Sequence, residues 1–294
     1  MQHQPLSIMV IFKKVGDLQA YLSDKNKSHS GVNFVPTMGA LHQGHLSLIQ
    51  LAKQHSGITV CSVFVNPTQF NNAIDFEKYP ITIAEDIALL TDAGCDVLFL
   101  PSQQEIYPDG TDKAPSFDFG YLETILEGVH RPGHFKGVGQ VVARLLDIVK
   151  PECLFLGQKD YQQCMVIKML LEKLKLDSKI QLITAPTIRE DDGLAMSSRN
   201  RRLTPSQRTI ASTIYQCLVS IQAKLQTEKF EVVQKECIDL LKDKGFAPEY
   251  VSLANATTLS LMDDYNIDVP MVALIAAEIG GVRLIDNMVL NPVQ

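Results

Sequence analysis

The sequence predicts an α/β protein in which a doubly wound parallel sheet is followed by a smaller C-terminal α+β domain. Three observations lead there. Short apolar, β-branched runs alternate with segments of helical period through the first part of the chain, the rhythm of βαβ units. After Asn200 the pattern changes to two long amphipathic helices and then strands, the last two joined by Gly280-Gly281, a hairpin signal. At 294 residues the chain is also long enough for two cores. The boundary is expected near residue 188, dividing the chain into 1–188 and 189–294.

Residues 7–12 read as a first strand and 17–23 as a short helix. Val32, Phe34 and Val35 form an apolar run that Pro36 ends. The turn Thr37-Met38-Gly39-Ala40-Leu41-His42-Gln43-Gly44-His45 follows, and then Leu46, Leu48, Ile49 and Ala52 repeat at helical spacing. Residues 58–65 (ITVCSVFV) suit a parallel strand covered on both faces, and Pro67 stops them. A helix over 83–93, capped at Gly94, leads to a strand over 96–100. Residues 101–120 are rich in Pro, Gly, Asp and Ser and read as an irregular excursion. Helix 137–149, strand 153–156, helix 162–174 and strand 179–188 complete the first domain. In the second, Thr204 is an N-cap with Pro205 at the first helical position, opening a helix over 205–226. A helix over 230–244 and strands over 250–254, 271–279 and 282–286 follow.

Composition narrows the function. Hydrophobic residues make up 46% and charged residues 20%, a globular balance that argues against disorder. The formal net charge of −6 argues against a nucleic-acid partner, so any phosphate must be met by local Lys, Arg and His. The six cysteines are scattered singly, without CxxC or Cys/His zinc spacing, as expected of reduced, buried thiols in a cytoplasmic protein. The N-terminal MQHQPLSIMVIFKK lacks a basic region and a cleavage pattern. No run approaches the ~20 apolar residues of a membrane span. A soluble cytoplasmic protein with no membrane partner is expected.

In an open α/β sheet, ligands bind beyond the carboxyl ends of the strands. Four unusual stretches fall at such ends. At the first, a helix starting from a glycine turn offers unpaired N–H groups and its positive dipole end to an anion. Gly39 and Gly44 allow close backbone approach. If the turn at His42 is already helical, His42 and His45 share a face and present two donors to one phosphate; the pair also reads as surface or capping histidines. The second stretch, Asn66-Pro67-Thr68-Gln69-Phe70, is a turn whose Gln69 carries both donor and acceptor groups, suited to a substrate with hydroxyls and a carboxylate. At the third, Gly157-Gln158-Lys159-Asp160-Tyr161-Gln162-Gln163, the lysine is either a solvated turn residue or a cation placed for a triphosphate. The fourth follows the last strand and ends Met196-Ser197-Ser198-Arg199-Asn200. It reads as a solvated basic loop or as an anion wrap with Arg199 for a bidentate clamp. Arg131, His134 and Lys136 add a local positive cluster.

His42-Gln43-Gly44-His45 resembles the HxGH signature of the Rossmann-like nucleotidyltransferase and class I synthetase superfamily, and MSSRN resembles its second, KMSKS-like signature. The longer strings PTMGALHQGH, FVNPTQF and GQKDYQQ are similar to those of the pantothenate synthetase (pantoate–β-alanine ligase) family. The resemblance spans almost the whole chain. It implies ATP binding by Met38, Gly39, His42, His45, Gly157, Lys159, Asp160, Ile188, Met196, Ser197, Ser198 and Arg199. Among these, His42, His45, Lys159 and Arg199 take the catalytic part. It implies that Gln69 and Gln163 hold pantoate, with Arg131 in a supporting role near the substrate. The chain departs from the family pattern at Ile74 and Ile81, where charged residues are usual. Glu85 and Asp86 fall where metal-coordinating acids are sometimes placed, but Leu89 offers no ligand, so Mg²⁺ is expected with ATP rather than in a protein cage.

The implied reaction has two steps. Pantoate carboxylate attacks the α-phosphorus of ATP, giving pantoyl adenylate and pyrophosphate, and the β-alanine amine then displaces AMP to give pantothenate. The segment 66–79 is expected to close over the adenylate, and a homodimer is expected by resemblance. Two other readings stand beside it: another small HxGH nucleotidyltransferase, which should lack the paired Gln69 and Gln163, and a catalytically silent ATP-binding regulator, which should have lost His42, His45, Lys159 or Arg199.

Overall fold

The structure is a computed structural model that describes residues 8–26 and 31–290. The chain forms two compact units. The first is Met1–Gly157 with Gln163–Ala185, and the second is Gln158–Gln162 with Pro186–Gln294.

The first unit is built on six parallel strands. In chain order it runs β1 (Val10–Phe12), α1 (Val15–Asn26), β2 (Val32–Thr37), α2 (Gln43–Ala52), β3 (Ile58–Val63), α3 (Ala73–Glu77), α4 (Ile83–Asp92), β4 (Val97–Phe99), α5 (Gln103–Ile106), α6 (Leu126–His130), α7 (His134–Val149), β5 (Cys153–Gly157), α8 (Tyr161–Lys173) and β6 (Gln181–Ala185). Helix α8 begins in the second unit's short segment and continues in the first. The strand order is β1-β4-β3-β2-β5-β6. From β2 the chain builds outward through β3 and β4 on one side, then returns to place β5 and β6 on the other. The carboxyl ends of β2 and β5 therefore flank the topological switch point, where doubly wound sheets bind ligands. Val32, Phe34 and Val35 of β2 are buried, as befits a central strand covered on both faces.

Boundaries moved where local chemistry was decisive. The first strand is described from Val10, and its expected start at Ser7 lies outside the described residues. Strand 179–188 shrinks to Gln181–Ala185, because Pro186 supplies no N–H to extend the ladder. Helix α4 ends in a cap at Gly94 (φ +73), with Cys95 N–H reaching the Leu90 carbonyl. The excursion over 101–120 holds α5 and short 3₁₀ turns.

In the second unit, α9 (Pro205–Ala211), α10 (Thr213–Lys224) and α11 (Phe230–Asp243) pack on an antiparallel sheet. Its strands are β7 (Ala247–Asn255), β8 (Leu261–Met262), β9 (Met271–Ile279) and β10 (Val282–Leu290), in the order β10-β9-β7-β8. Thr204 and Gln207 form a reciprocal capping box at the start of α9. The single helix expected over 205–226 breaks at Ser212. There the Thr213 hydroxyl donates to the Ile210 carbonyl at 2.7 Å and competes with the helical ladder. Gly280 (φ +57) and Gly281 (φ +76) make the hairpin between β9 and β10, a turn that needs both residues in the left-handed region. β10 runs on to Leu290, past the predicted end at Asp286. No helix among the described residues is long and apolar enough to cross a membrane.

All six cysteines are free, and only Cys153 is not buried. Burial pushes the Cys61 thiol well up and the Cys95 thiol up to about 12, so neither offers thiolate near neutral pH. Native protein titrated with a thiol-reactive dye is expected to take up one equivalent, lost in Cys153→Ser. Denatured protein should take up six equivalents. Several equivalents reacting at once in the native state would contradict the core as described.

Candidate active site

The turn leaving β2 is shaped by a buried carboxylate. Asp86, on α4, is 2% exposed. Its oxygens accept the backbone N–H of Ala40 (3.0 Å) and Leu41 (2.8 Å) and the Thr82 hydroxyl (3.1 Å). Gly39 and Ala40 both adopt positive φ, +80° and +48°. A Cβ on Gly39 would lie 2.9 Å from both Asp86 Oδ2 and Val63 Cγ1, so this glycine answers both a conformational and a steric demand. Asp86, considered from sequence as a metal ligand, is committed to this turn. Among the described residues no group of three His, Cys, Asp or Glu side chains is placed to hold a metal ion.

His42 follows as the N-cap of α2. Its backbone is extended (φ −147°, ψ 175°) rather than helical, and its Nδ1 accepts the Gly44 N–H at 3.2 Å. With Nδ1 accepting, the neutral ring carries its hydrogen on Nε2. His45 sits at the third helical position, and the two rings meet with centroids 4.1 Å apart. The helical turn that sequence reasoning required is thus unnecessary, since a cap and the third residue after it already share a face. The α2 N-terminus lies at the carboxyl end of β2, beside the switch point.

After β3, Pro67–Gln69 form a 3₁₀ turn around a buried amide hub. Asn66, 1% exposed, donates to Gln69 Oε1 and to the Gly137 carbonyl, both at 3.2 Å. Its Oδ1 accepts the Tyr107 hydroxyl at 2.9 Å and the Thr68 hydroxyl at 3.2 Å. Gln69 Nε2 reaches Met38 Sδ at 3.0 Å, which joins two of the sequence candidates directly. Gly137 is required here, because a Cβ on it would fall 2.2 Å from the Thr68 carbonyl oxygen.

Arg131 takes its place through His134. Arg131 Nη1 lies 3.0 Å from His134 Nε2, and it pairs with Glu127 at 3.6 Å. A guanidinium only donates, so Nε2 accepts and Nδ1–H donates to the Gln69 carbonyl at 2.8 Å. A chain of contacts from Glu127 through Arg131 and His134 therefore fixes the backbone of Gln69. The charged cluster predicted here is largely internal: His134 is buried, while Lys136 is exposed. Gln163 lies half-buried in the first turn of α8, and Gly157 ends β5. Ile74 and Ile81, the two departures from the family pattern, are 57% and 72% exposed.

The second unit carries the remaining candidates. Lys159 and Asp160 lie in a 3₁₀ turn, with Lys159 Nζ 3.4 Å from both Asp160 oxygens. An isolated antiparallel bridge pairs Arg189 with Ala195, and Met196 N–H donates to the Ile188 carbonyl at 3.0 Å, so Ile188 and Met196 are adjacent. Ser197 caps the following 3₁₀ turn by accepting the Arg199 N–H, while Ser198 is buried within it. Asp192 is gripped by Arg208 through two bonds of 2.6 and 3.1 Å, and this pairing holds its carboxyl below the usual carboxylate range.

A doubly wound sheet with a histidine-capped helix N-terminus at its switch point defines an anion-binding α/β protein of the nucleotide-binding class. The sequence profile described as Pantoate-beta-alanine ligase matches residues 10–289, and the chain belongs to that family of ligases. A curated relative, pantothenate synthetase of Cytophaga hutchinsonii, is 42% identical over 285 residues, covering 96% of this chain and 99% of that one. The crystal structure of pantothenate synthetase from Thermus thermophilus matches with a TM-score of 0.88 at 36% identity, covering 97% of this chain and 100% of that one. The Francisella tularensis pantoate-beta-alanine ligase, complexed with beta-gamma ATP and beta-alanine, matches with a TM-score of 0.78 at 37% identity, covering 96% and 98%. The family and the fold class read from sequence are those found.

Sequence reasoning passed over Asn66 and the structural roles of Asp86 and His134. Each is polar and buried, yet burial of a lone polar residue leaves no periodic signal. Replacing Asp86 with Ala strands two buried N–H groups, and is expected to cost about 3 kcal/mol in chemical denaturation. Gly39→Ala should also destabilise, by more than about 1 kcal/mol. Wild-type stability in both would contradict the clamp.

Proposed function

We propose that this chain ligates pantoate and β-alanine at the expense of ATP through a pantoyl-adenylate intermediate, releasing pyrophosphate and then AMP. The observation that carries the reading is the paired His42 and His45 at the α2 N-terminus, at the carboxyl end of β2. Two imidazoles and a helix dipole there favour polyphosphate. Met38 and Gly39 line the approach to that helix. His45 donates a hydrogen bond to the departing pyrophosphate. Gln69, fixed by Asn66 and by the Glu127–Arg131–His134 chain, binds pantoate together with Gln163, and Arg131 supports this through His134.

Lys159 and Arg199 neutralise charge developing on the phosphates, while Gly157 at the end of β5 and Asp160 contact the nucleotide. Met196, Ser197 and Ser198 bind ATP, with the Ile188 backbone near the adenine. Mg²⁺ carried with ATP would add charge neutralisation at the phosphates and would need few ligands from the protein. No covalent enzyme intermediate is needed: the chain positions two substrates and stabilises charge. Segment 66–79 closes over the adenylate. The free thiols support a cytoplasmic location. Family resemblance supports a homodimer, which sedimentation would test.

ATP–pyrophosphate exchange, with pantoate present and β-alanine withheld, tests the reading. Pantoate-dependent exchange is expected, and His45→Ala should lower it by about 100-fold or more. Intact ATP binding without exchange would instead favour another acceptor or a silent regulator.

A further inference from the structure

β10 carries Arg283 near its start, paired with Glu249, and at its centre two consecutive polar residues are buried among apolar ones: Asp286 at 4% and Asn287 at 2% exposure. Burying polar groups in a strand is unfavourable unless each is bonded. Here both are, and their partners are informative. The Asn287 amide donates to the Gln158 carbonyl at 3.0 Å and to the Lys159 carbonyl at 2.8 Å. Its Oδ1 accepts from Gln158 Nε2 at 3.3 Å. Both donors and the acceptor are therefore used on one turn, the one that carries Lys159. Asn287 itself sits in register opposite Leu274 within the β9–β10 ladder, so the amide is presented by a rigid element.

Asp286 serves the neighbouring motif. It holds Arg189 through two bonds of 2.5 and 3.0 Å, and Arg189 also donates to the Asn287 carbonyl at 3.2 Å and the Gly193 carbonyl at 3.0 Å. The guanidinium lies 4.4 Å from the centre of the Tyr215 ring. Gly193 (φ +90) admits this packing, since a Cβ there would meet Tyr215 at 2.0 Å. Arg189 thus anchors the hairpin that leads into Met196, Ser197, Ser198 and Arg199. Burial pushes the Asp286 carboxyl up, while Arg189 and the Lys159 charge oppose that rise.

We infer that Asn287 is a positioning residue for the adenylation step: its amide fixes the Gln158–Asp160 turn, and so places Lys159, relative to the Arg189–Arg199 hairpin that Asp286 anchors. The inference rests on the role proposed above for Lys159. An amide is needed because two carbonyls must be met by two donors on one short side chain. Asn287→Asp keeps the shape and removes both donors, and Asn287→Ala removes the contact.

The test is pantoate-dependent ATP–pyrophosphate exchange by wild type, N287D, N287A, K159A and K159A/N287A in the full chain, with thermal unfolding as a control on folding. Both single Asn287 variants are expected to lose about 100-fold in kcat, with KM for pantoate unchanged. The double variant should be no slower than K159A, because the two residues act through one group. Near-wild-type kcat in N287D, or losses that multiply in the double variant, would overturn the inference and leave the reaction standing. Deuterium uptake by residues 158–160 reads the turn without the reaction, and it should rise several-fold in N287D. Unchanged uptake would overturn the inference, whereas absent wild-type exchange would overturn the proposed reaction.

Discussion

The structure depends on a carboxylate that touches no substrate in the proposed reaction. Asp86 reaches from α4 to the turn after β2 and accepts two consecutive backbone N–H groups that would otherwise be buried and unpaired. With those bonds made, Gly39 and Ala40 can hold positive φ, the chain reverses without a long loop, and His42 arrives in extended geometry to cap α2. The geometry on which the proposed anion site at the α2 N-terminus rests follows from that turn. The strain of Ala40 in the left-handed region is balanced by hydrogen bonds to Asp86 inside the protein, where such bonds are strong.

The same device recurs with amides. Asn66 ties the 3₁₀ turn bearing Gln69 to the Gly137 carbonyl of α7. Asn287 ties the turn bearing Lys159 to β10. In both cases the candidate side chain sits on an irregular segment: Asn66 holds the Gln69 side chain, Asn287 holds the backbone carbonyls of Gln158 and Lys159, and each buried amide has its donors and acceptor fully used. Irregular segments allow close approach to a ligand, and buried amides remove the looseness that such segments would otherwise bring.

The fold was legible because apolar periodicity and turn glycines repeat along the chain: strand β3, the Gly94 cap, the Thr204 N-cap and the Gly280-Gly281 hairpin all stand near their expected places. The failures have local causes. Asp286 and Asn287 look like a strand end, since polar residues usually mark one. β10 continues through them because each finds partners that no local pattern reveals. The break at Ser212 comes from a threonine hydroxyl competing with the helix. His42 and His45 were legible as a pair from spacing, with capping among the readings left open; that His42 caps in extended geometry while His45 stands third in the helix was not. Arg131 stood out by charge, whereas its link to Gln69 passes through His134 across 65 residues of chain.

Charge stabilisation and positioning are what this set of residues can supply, and adenylation of a carboxylate asks for both. The most direct measurement follows the oxygen atoms. Pantoate labelled with ¹⁸O in both carboxylate oxygens is incubated with the enzyme, ATP and β-alanine, and the products are read by mass spectrometry. The proposed route delivers one labelled oxygen into the phosphoryl group of AMP and leaves one in the amide of pantothenate. Unlabelled ADP as the nucleotide product, with the heavy oxygen in inorganic phosphate instead, would mean that the carboxylate is activated at the terminal phosphate and would contradict the account.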